Sequence, residues 1–592
     1  MTPAGSQSSM RPLRQAFPQA LPALSSIPEV LWKPSYFSKN GKLLVLKIGE
    51  QQKSLISQFQ RYHNQKIVES SENTKEKSTS EEVTKTSIND SEIKSEYNSP
   101  SYQDKIISVK VPFLSILSTY VGVGFIIILF GNIQDFVRKF FNKYRSGEHK
   151  CPDDIKDFPD IYGQGYDTFI RRNFYNRCRD NFNRPIIGCP GALVSIQNRI
   201  SVSKNWFMKF FIPKEKPSRN LLNLGSYNYL GFANTDGLPA DQSTKAVQEF
   251  GISATSPYHE LGNMTYVDKL ENTMANFMGA EACAIFGMGF ATNSMNICNL
   301  ADSNTLFVSD ALNHASIITG CKLAGASIRT FKHNDMKDLE KVLKRAVFYG
   351  NPKKRNRPYT KIVIIVEGIY SMEGTIVNLP QVIKLKKKYK AYLYLDEAHS
   401  IGAIGQHGRG VCEYFNCNPK DIDILMGTFT KSFGAAGGYI CGSKSIIQHI
   451  RNHSAGNTLA MPMPPAIAAQ TLAALNIIGY TQQGQDKINQ LRRNTRQFRT
   501  FLTERGFCVY GHDDSPVIPV LTCEIGKMVK FNRLALEHGL GLVIVGFPAT
   551  PMTESRIRFC LSAAHSEQQL DRALKTIDMI ADECGIKFKK EE

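Results

Sequence analysis

Lys431 lies in the segment GTFTKSFGAAGGYI, where its neighbours suit covalent chemistry at an amine. Thr428, Thr430 and Ser432 flank it, and a glycine-rich turn follows. A lysine amine must be neutral to attack an aldehyde, and burial favours the neutral form by lowering the pKa. Hydroxyl groups can bind a phosphate, and glycines allow close approach of the backbone. The segment therefore predicts a lysine that forms a Schiff base with a phosphorylated aldehyde.

A second polar group follows the apolar run AYLYLD, which ends in Asp396 and continues as EAHS. A carboxylate at the end of a buried strand is costly unless it meets a cation, and a protonated pyridine nitrogen would supply one. His399 could hydrogen-bond the phenolic oxygen of the same ring. Together with Lys431, these residues predict pyridoxal phosphate (PLP) as the cofactor.

The alternative for the Asp-Glu-Ala-His motif is a helicase, in which the acid holds Mg²⁺. Such an enzyme needs a phosphate loop of the form G-x-x-x-x-G-K-[ST]. The sequence contains no such loop, since TFTKS lacks the glycine before Lys431. A nucleic-acid enzyme is therefore not expected.

Two further turns are predicted at strand ends. FGMGFATN (286–293) would bring backbone amides and a helix start to the PLP phosphate, with Gly289 and Phe290 closest. DALNHAS (310–316) places His314 where a flat imidazole could stack on the pyridine ring. Taken alone, His314 would be interpreted as a core histidine, but the other motifs favour the stacking role.

The elements that must position these residues alternate between strand and helix from about 220 to 440. Open α/β sheets bind ligands at the carboxyl ends of their strands, where these polar residues fall. We predict an α/β fold with a mostly parallel sheet in a large PLP-binding domain, 251–485, preceded by residues 150–250 of the catalytic region. A smaller α+β domain is predicted over 486–592. The expected strands are ACAIF (282–286), TLFVS (305–309), KIVIIVE (361–367), AYLYLD (391–396), DILMGTF (423–429), VIPVL (517–521) and LVIV (542–545).

The amino-terminal part of the chain differs in composition from the catalytic region. Residues 1–104 include a run rich in Ser, Thr, Glu, Lys and Asn, and this region is predicted to be disordered. Residues 111–133 carry no charge and are long enough to cross about 30 Å of hydrocarbon, so we predict a transmembrane helix there. A buried core helix is the alternative. The basic residues Arg138, Lys139, Lys143 and Arg145 favour a cytosolic carboxyl-terminal side.

The net charge and the spacing of the cysteines bear on the possible binding partners and on the redox environment. The formal net charge of +19 fits a basic surface or attraction to a membrane leaflet, a CoA ester or a nucleic acid, and it does not choose among them. The 13 cysteines include no C-x-x-C pair, so we expect reduced thiols facing the cytosol and no metal site.

These motifs together resemble the α-oxoamine synthase family of class-II PLP-dependent aminotransferases. The similarity covers roughly residues 105–585 and is highest with the lysine-bearing catalytic subunit of the enzymes that condense serine with a long-chain acyl-CoA. The motifs that carry it are NYLG, GMGFATNSMN, NHAS, VEGIYSMEG, LYLDEAHSIGAIG, GTFTKSFGAAGGYI and GFPATP. The first hundred residues are not covered.

The resemblance implies the PLP-dependent transferase fold of the aspartate aminotransferase type and a set of residue roles. Lys431 would be the Schiff-base lysine, Asp396 the partner of the pyridinium nitrogen, His399 the contact of the phenolic oxygen and His314 the stacking residue. The phosphate would be held by Gly289, Phe290, Thr428 and Thr430. The substrate would be bound by Arg558, which would take its carboxylate, and by Tyr227 and Asn228.

The resemblance also implies an activity: PLP-dependent decarboxylative condensation of L-serine with palmitoyl-CoA to 3-ketodihydrosphingosine, the first step of sphingolipid synthesis. It implies a lysine-free subunit 1 paralogue as heterodimer partner, contact with membrane lipid, and a single-pass protein of the endoplasmic reticulum with a cytosolic catalytic domain. The alternatives are aminolevulinate synthase, glycine C-acetyltransferase or a non-catalytic scaffold subunit. Two positions depart from the family pattern, Tyr258 where an arginine is usual and Val267 where a histidine is usual.

Overall fold

The computed structural model describes residues 175, 178–182, 184–201, 211–547 and 549–588, and isolated positions between 117 and 137. The region 1–104, predicted to be disordered, and most of the predicted membrane span 111–133 lie outside the described residues. No helix within the described part of the chain is long and apolar enough to span a membrane. The transmembrane helix therefore stays a prediction.

The described strands are β1 Ile186–Ile187, β2 Leu193–Ser201, β3 Phe211–Asn223, β4 Ala282–Phe286, β5 Thr305–Asp310, β6 Ser327–Phe331, β7 Lys361–Glu367, β8 Tyr392–Asp396, β9 Ile424–Thr428, β10 Gly438–Gly442, β11 Val517–Leu521, β12 Leu540–Gly541, β13 Val543–Val545 and β14 Arg556–Cys560. Seven of them form a mixed sheet at the centre of the fold, in the order β4-β10-β9-β8-β7-β5-β6. Strands β5 to β9 run parallel to one another, whereas β10 is antiparallel to both β4 and β9.

Continuous apolar runs explain why the central strands are buried. Every residue of β5 and β9 is buried, as are the last five of β7, because helices cover both faces of a parallel sheet. The helices are α1 Leu238–Phe250, α2 Thr265–Met278, α3 Gly289–Ser294, α4 Ala315–Leu323, α5 Met336–Tyr349, α6 Leu379–Tyr389, α7 Val411–Tyr414, α8 Lys444–His453, α9 Ala455–Thr458, α10 Pro465–Tyr480, α11 Gln482–Glu504, α12 Ile525–Glu537 and α13 Glu567–Cys584.

Two small sheets lie in the amino- and carboxyl-terminal parts of the catalytic region. Strands β11, β14 and β13 form an antiparallel three-stranded sheet. Strand β12 pairs in parallel with β3, matching Leu540 with Leu222 and Gly541 with Asn223. The α+β part of the protein therefore combines strands that lie before the large sheet in the chain with strands that lie after it.

The central and carboxyl-terminal strands agree closely with the sequence interpretation, which confirms the predicted α/β class with a mostly parallel large sheet. Strands β4, β7 and β11 have the predicted bounds. Strand β10 was not predicted: its sequence is GYICG, and the glycine at each end gives a weak strand signal. Gly438 is needed there, since a Cβ at this position would lie 2.7 Å from the carbonyl oxygen of Gly427.

Candidate active site

Three neighbouring parallel strands, β7, β8 and β9, end at the same edge of the large sheet and present polar residues there. Strand β7 ends at Glu367 and β8 at Asp396, and the two carboxylates are register partners on adjacent strands. Strand β9 ends at Thr428, and Lys431 follows in the next turn. The sheet therefore brings the predicted lysine and aspartate to one place, with a second carboxylate that the sequence interpretation did not include.

Lys431 is half-buried and forms no ion pair with any described residue. Its Nζ lies 5.8 Å from the centre of the Tyr227 ring. Desolvation lowers the pKa of Lys431 to about 8; Asp396 and Glu367 oppose this shift, and the positive charge of Arg558 adds to it. A substantial fraction of the amine is thus neutral near physiological pH, as attack on an aldehyde requires.

Asp396 is a buried carboxylate, 3% exposed, with hydrogen-bond donors but no cation within ion-pair distance among the described residues. Its Oδ2 accepts from Nδ2 of Asn293 at 2.8 Å, and its Oδ1 accepts from the backbone N–H of Ala398 at 2.9 Å. Burying a charge without a paired cation is unfavourable. A protonated pyridine nitrogen would supply the missing charge, so this carboxylate fits PLP.

His399 is buried beside two tyrosines. Its Nδ1 lies 2.8 Å from the hydroxyl of Tyr229, and its ring meets the ring of Tyr227 edge-on with centroids 5.1 Å apart. Desolvation, with smaller contributions from the charges of Lys431 and Arg558, holds the pKa of His399 well below its ordinary value. The imidazole is therefore neutral, and Nε2 is its remaining polar atom.

His314 begins helix α4 as its N-cap residue and keeps its ring exposed. The Nδ1 atom lies 2.7 Å from Oγ of Ser316, and the backbone N–H donates to Oε1 of Glu367. The ring lies edge-on to Phe290, with centroids 6.0 Å apart. Desolvation lowers the pKa of His314, so the structure offers a neutral imidazole with a free face, as stacking on a pyridine ring requires.

The predicted phosphate site is built from two threonines and a glycine. The hydroxyls of Thr428 and Thr430 are 2.8 Å apart, and Thr428 Oγ1 also lies 2.9 Å from the carbonyl oxygen of Gly437. A Cβ at Gly289 would lie 2.6 Å from Thr428 Oγ1, so only glycine fits at this start of helix α3. Phe290, the next residue, is 42% exposed. The hydroxyls and backbone amides together could hold an anion.

Arg558 reaches the same region from the small antiparallel sheet. It lies in the middle of β14 and is 5% exposed, with its Cζ 4.9 Å from the centre of the Tyr227 ring. Its Nη1 donates to the carbonyl oxygen of Ser371 at 3.3 Å, while its buried Nε has no partner among the described residues. An unpaired donor on a buried guanidinium suits a carboxylate ligand.

Tyr227 joins these groups, whereas Asn228 does not. The Tyr227 ring contacts Lys431, Arg558 and His399. The Asn228 side chain instead donates to the carbonyl oxygen of Pro190 at 3.0 Å and accepts from the backbone N–H of Ala233 at 3.3 Å. Asn228 thus ties loops together, and its predicted contact with substrate finds no support in these bonds.

The two departures from the family pattern lie apart from the strand-end residues. Val267 is buried in the core, and the hydroxyl of Tyr258 lies 3.4 Å from Oε2 of Glu271. Glu271 also forms an ion pair with Arg451. The two substitutions therefore leave the described contacts of Lys431 and Asp396 unchanged.

Sequence reasoning missed three site residues, Glu367, Asn293 and Tyr394. Glu367 ends the apolar run KIVIIVE just as Asp396 ends AYLYLD, so the same rule could have identified it. Asn293 bonds to Asp396, and the hydroxyl of Tyr394 donates to Oδ1 of Asn293 at 2.7 Å. These two contacts join residues that lie far apart in the chain, so no local sequence pattern predicts them.

The mixed sheet, the strand-end lysine and aspartate and the small sheet that supplies Arg558 define the class of PLP-dependent transferases. The family model for class I and II aminotransferases matches residues 219–577. Among solved structures, serine palmitoyltransferase from Sphingomonas wittichii is 29% identical with a TM-score of 0.58, covering 62% of this chain and 89% of that one. A high-resolution structure of SPT with PLP is 26% identical with a TM-score of 0.60, covering 69% and 94%.

Two curated relatives are more similar in sequence. Serine palmitoyltransferase 2 of Caenorhabditis elegans is 47% identical over 485 residues, covering 81% of this chain and 85% of the relative. Serine palmitoyltransferase 3 of Homo sapiens is 45% identical over 506 residues, covering 83% and 89%. The chain belongs to the serine palmitoyltransferase family, and it is accordingly a PLP-dependent acyltransferase.

The pKa of Lys431 gives a test of the site by pH. The rate of covalent attachment of PLP to the cofactor-free protein should rise with pH and level off above about 8, because the neutral amine is the reactive form. An ordinary lysine would continue to gain reactivity up to about 10.4. Loading can be followed by visible absorbance, and Lys431→Ala should show no covalent attachment. A midpoint near that of free lysine would contradict the buried site.

Proposed function

We propose that the strand-end residues bind PLP in the following arrangement. Lys431 is the attachment point, Asp396 faces the pyridinium nitrogen, His399 faces the phenolic oxygen and His314 stacks on the ring. Thr428, Thr430, Gly289 and Phe290 surround the phosphate. When bound, PLP supplies an electron sink for a carbanion at the substrate α-carbon.

The chain's own residues account for positioning and proton transfer. Lys431, with a pKa lowered to about 8, can accept the α-proton of the amino-acid substrate as a general base. The carboxylate of Asp396, placed against the ring nitrogen, would favour the protonated form of that nitrogen, because an opposite charge nearby stabilises a cation. With the Tyr229 hydroxyl as donor to Nδ1, neutral His399 carries its proton on Nε2 and can donate it to the phenolic oxygen.

The function that this arrangement supports best is decarboxylative condensation of L-serine with palmitoyl-CoA to 3-ketodihydrosphingosine. The observation that carries the amino-acid half is Arg558, whose Nε is buried and without a partner in the described structure. Its guanidinium and the Lys431 amine both lie near the ring of Tyr227. A substrate carboxylate would pair with this donor and place its α-carbon near the amine.

The proposed role of Arg558 can be tested with Arg558→Lys. Lysine keeps the charge but loses the fork of donors, so the KM for serine should rise roughly tenfold to a hundredfold, the scale of one hydrogen bond to a charged group. The measurement is a steady-state assay that detects 3-ketodihydrosphingosine by mass spectrometry. The KM for palmitoyl-CoA and the cofactor absorbance serve as controls. An unchanged KM for serine would remove Arg558 from the carboxylate site, and absence of any product from the wild type co-expressed with a lysine-free homologue would refute the function.

We also propose that the active enzyme is a heterodimer with a lysine-free paralogue. Exposed apolar side chains beside the Tyr258 loop support a protein contact there. Leu261 is 89% and Leu459 77% exposed, and the backbone N–H of Tyr258 donates to the carbonyl oxygen of Ala460, which links the two segments. Large exposed apolar groups in one region often mark an interface.

Co-expression gives the test of this partner. We expect the chain alone to be inactive or poorly soluble and expect activity when a lysine-free homologue is present. Leu261→Ser together with Leu459→Ser should weaken co-purification, whereas Phe348→Ser, at an exposed site on helix α5, should not. A fully active homodimer would refute the requirement for a partner.

For localisation we propose a single-pass protein of the endoplasmic reticulum with the catalytic domain in the cytosol. The support is the uncharged stretch 111–133 and the basic residues after it, and both acyl chain and product prefer a bilayer. The sequence contains three N-x-[ST] sequons, at Asn89, Asn263 and Asn452. They report on topology because glycosylation occurs only in the lumen.

The expected result is glycan on Asn89 alone, since only this sequon precedes the span. Glycosidase treatment should shift the mobility of the wild type and leave Asn89→Gln unchanged. A helix that lies in the cytosolic leaflet without crossing would leave all three sequons bare. Glycan on Asn263 or Asn452 would place the catalytic domain in the lumen and contradict the proposed topology.

A further inference from the structure

The side chain of Asn293 connects two residues of the proposed PLP site. It lies in helix α3 and is 2% exposed. Its Nδ2 donates to Asp396 Oδ2 at 2.8 Å and to Ser316 Oγ at 3.0 Å, and its Oδ1 accepts from the hydroxyl of Tyr394 at 2.7 Å. Both ends of the amide are therefore used, and the bonds link helix α3 to strand β8, through Asp396 and Tyr394, and to helix α4, through Ser316.

The chemistry of the partners fixes which way the amide points. An ionised carboxylate can only accept hydrogen bonds, so the NH₂ group must face Asp396. The same NH₂ group donates to Ser316 Oγ, which leaves the Ser316 proton free to donate elsewhere. The nearest acceptor is His314 Nδ1, at 2.7 Å.

The bonds to Nδ1 in turn fix the tautomer of His314. The backbone N–H of Ser316 donates to Nδ1 at 3.3 Å, so Nδ1 is an acceptor, and the Ser316 hydroxyl must then be the donor in its 2.7 Å contact with the same atom. A ring nitrogen that accepts carries no proton, so the single proton of the neutral ring is on Nε2. The pKa of His314, lowered mainly by desolvation, agrees with a neutral ring.

We propose that Asn293 and Ser316 are positioning residues that form one relay, in which a single amide sets both the orientation of the Asp396 carboxylate and, through Ser316, the Nε2–H tautomer of His314. Neither residue is assigned contact with the cofactor. The inference rests on the proposed roles of Asp396 and His314 at the PLP ring. It predicts that the two ring contacts are energetically coupled although they lie on different elements.

The test uses the full chain co-expressed with its partner subunit and compares Asn293→Ala, Ser316→Ala and the double variant. Asn296→Ala is the matched control, because Asn296 is also fully buried, lies just past the end of helix α3, and its side chain bonds, among the described residues, to the carbonyl oxygen of Thr292 alone. Three quantities are measured: the dissociation constant of PLP, the position of its visible absorbance band, and the thermal stability of the cofactor-free protein.

Asn293→Ala should weaken PLP binding roughly tenfold or more and shift the band, on the scale seen when a residue that orients a ligand-binding side chain is removed. Ser316→Ala should act in the same direction but less, because it releases only His314. The double variant should resemble Asn293→Ala, since the relay is already broken there. Asn296→Ala should lower thermal stability and leave the band and the affinity unchanged.

Two outcomes would overturn the relay while leaving the proposed function intact. One is that the wild type binds PLP but the losses of PLP affinity caused by Asn293→Ala and Ser316→Ala simply add in the double variant. The other is an equal loss of affinity in Asn296→Ala, which would show general damage to helix α3. A wild-type protein that binds no PLP would instead refute the proposed function and the relay with it.

Discussion

The buried carboxylate of Asp396 is the constraint on which the site depends. A charge at the end of a desolvated strand is unfavourable unless hydrogen bonds and a cation compensate it. Asn293 and Ala398 supply the hydrogen bonds, but in the described structure no cation lies within ion-pair distance. A cofactor ring with a protonated nitrogen would supply the compensating charge, so its binding beside Asp396 would be electrostatically favourable.

The same desolvation acts in the opposite direction on Lys431. Burial disfavours its charged form, while Asp396 and Glu367 favour it, and the resulting pKa of about 8 lies between these effects. Removing the carboxylates would make the amine more easily neutral but leave the cofactor ring without its counter-charge. One edge of the sheet therefore sets both the reactivity of the amine and the protonation of the ring, which explains why lysine and aspartate follow adjacent parallel strands.

The sequence alone could predict the parts of the fold and site that depend on local pattern. An apolar run that ends in a polar residue identifies a buried strand and its functional end, so Asp396 and Lys431 were found together with strands β7 and β8. Contacts between distant segments leave no such pattern. The pairing of Leu540 with Leu222 and the bond between Asn293 and Asp396 depend on tertiary packing, and neither was predicted. Asn228 lies inside the recognised motif NYLG, but its side chain bonds to the backbone of Pro190 and Ala233 in neighbouring loops.

Tyr227 contacts one residue from the small antiparallel sheet and one that follows the large sheet. Its ring lies against Arg558 from the small sheet and near Lys431 from the large sheet, and burial raises its pKa to about 12, so the hydroxyl stays protonated. A neutral ring can separate two cations that would otherwise repel each other, and its face attracts both. The guanidinium and the amine can therefore remain close before substrate arrives. A substrate that brings a carboxylate for Arg558 and an α-proton for the neutral amine of Lys431 engages both groups at once, and an α-amino acid has these two groups on one carbon.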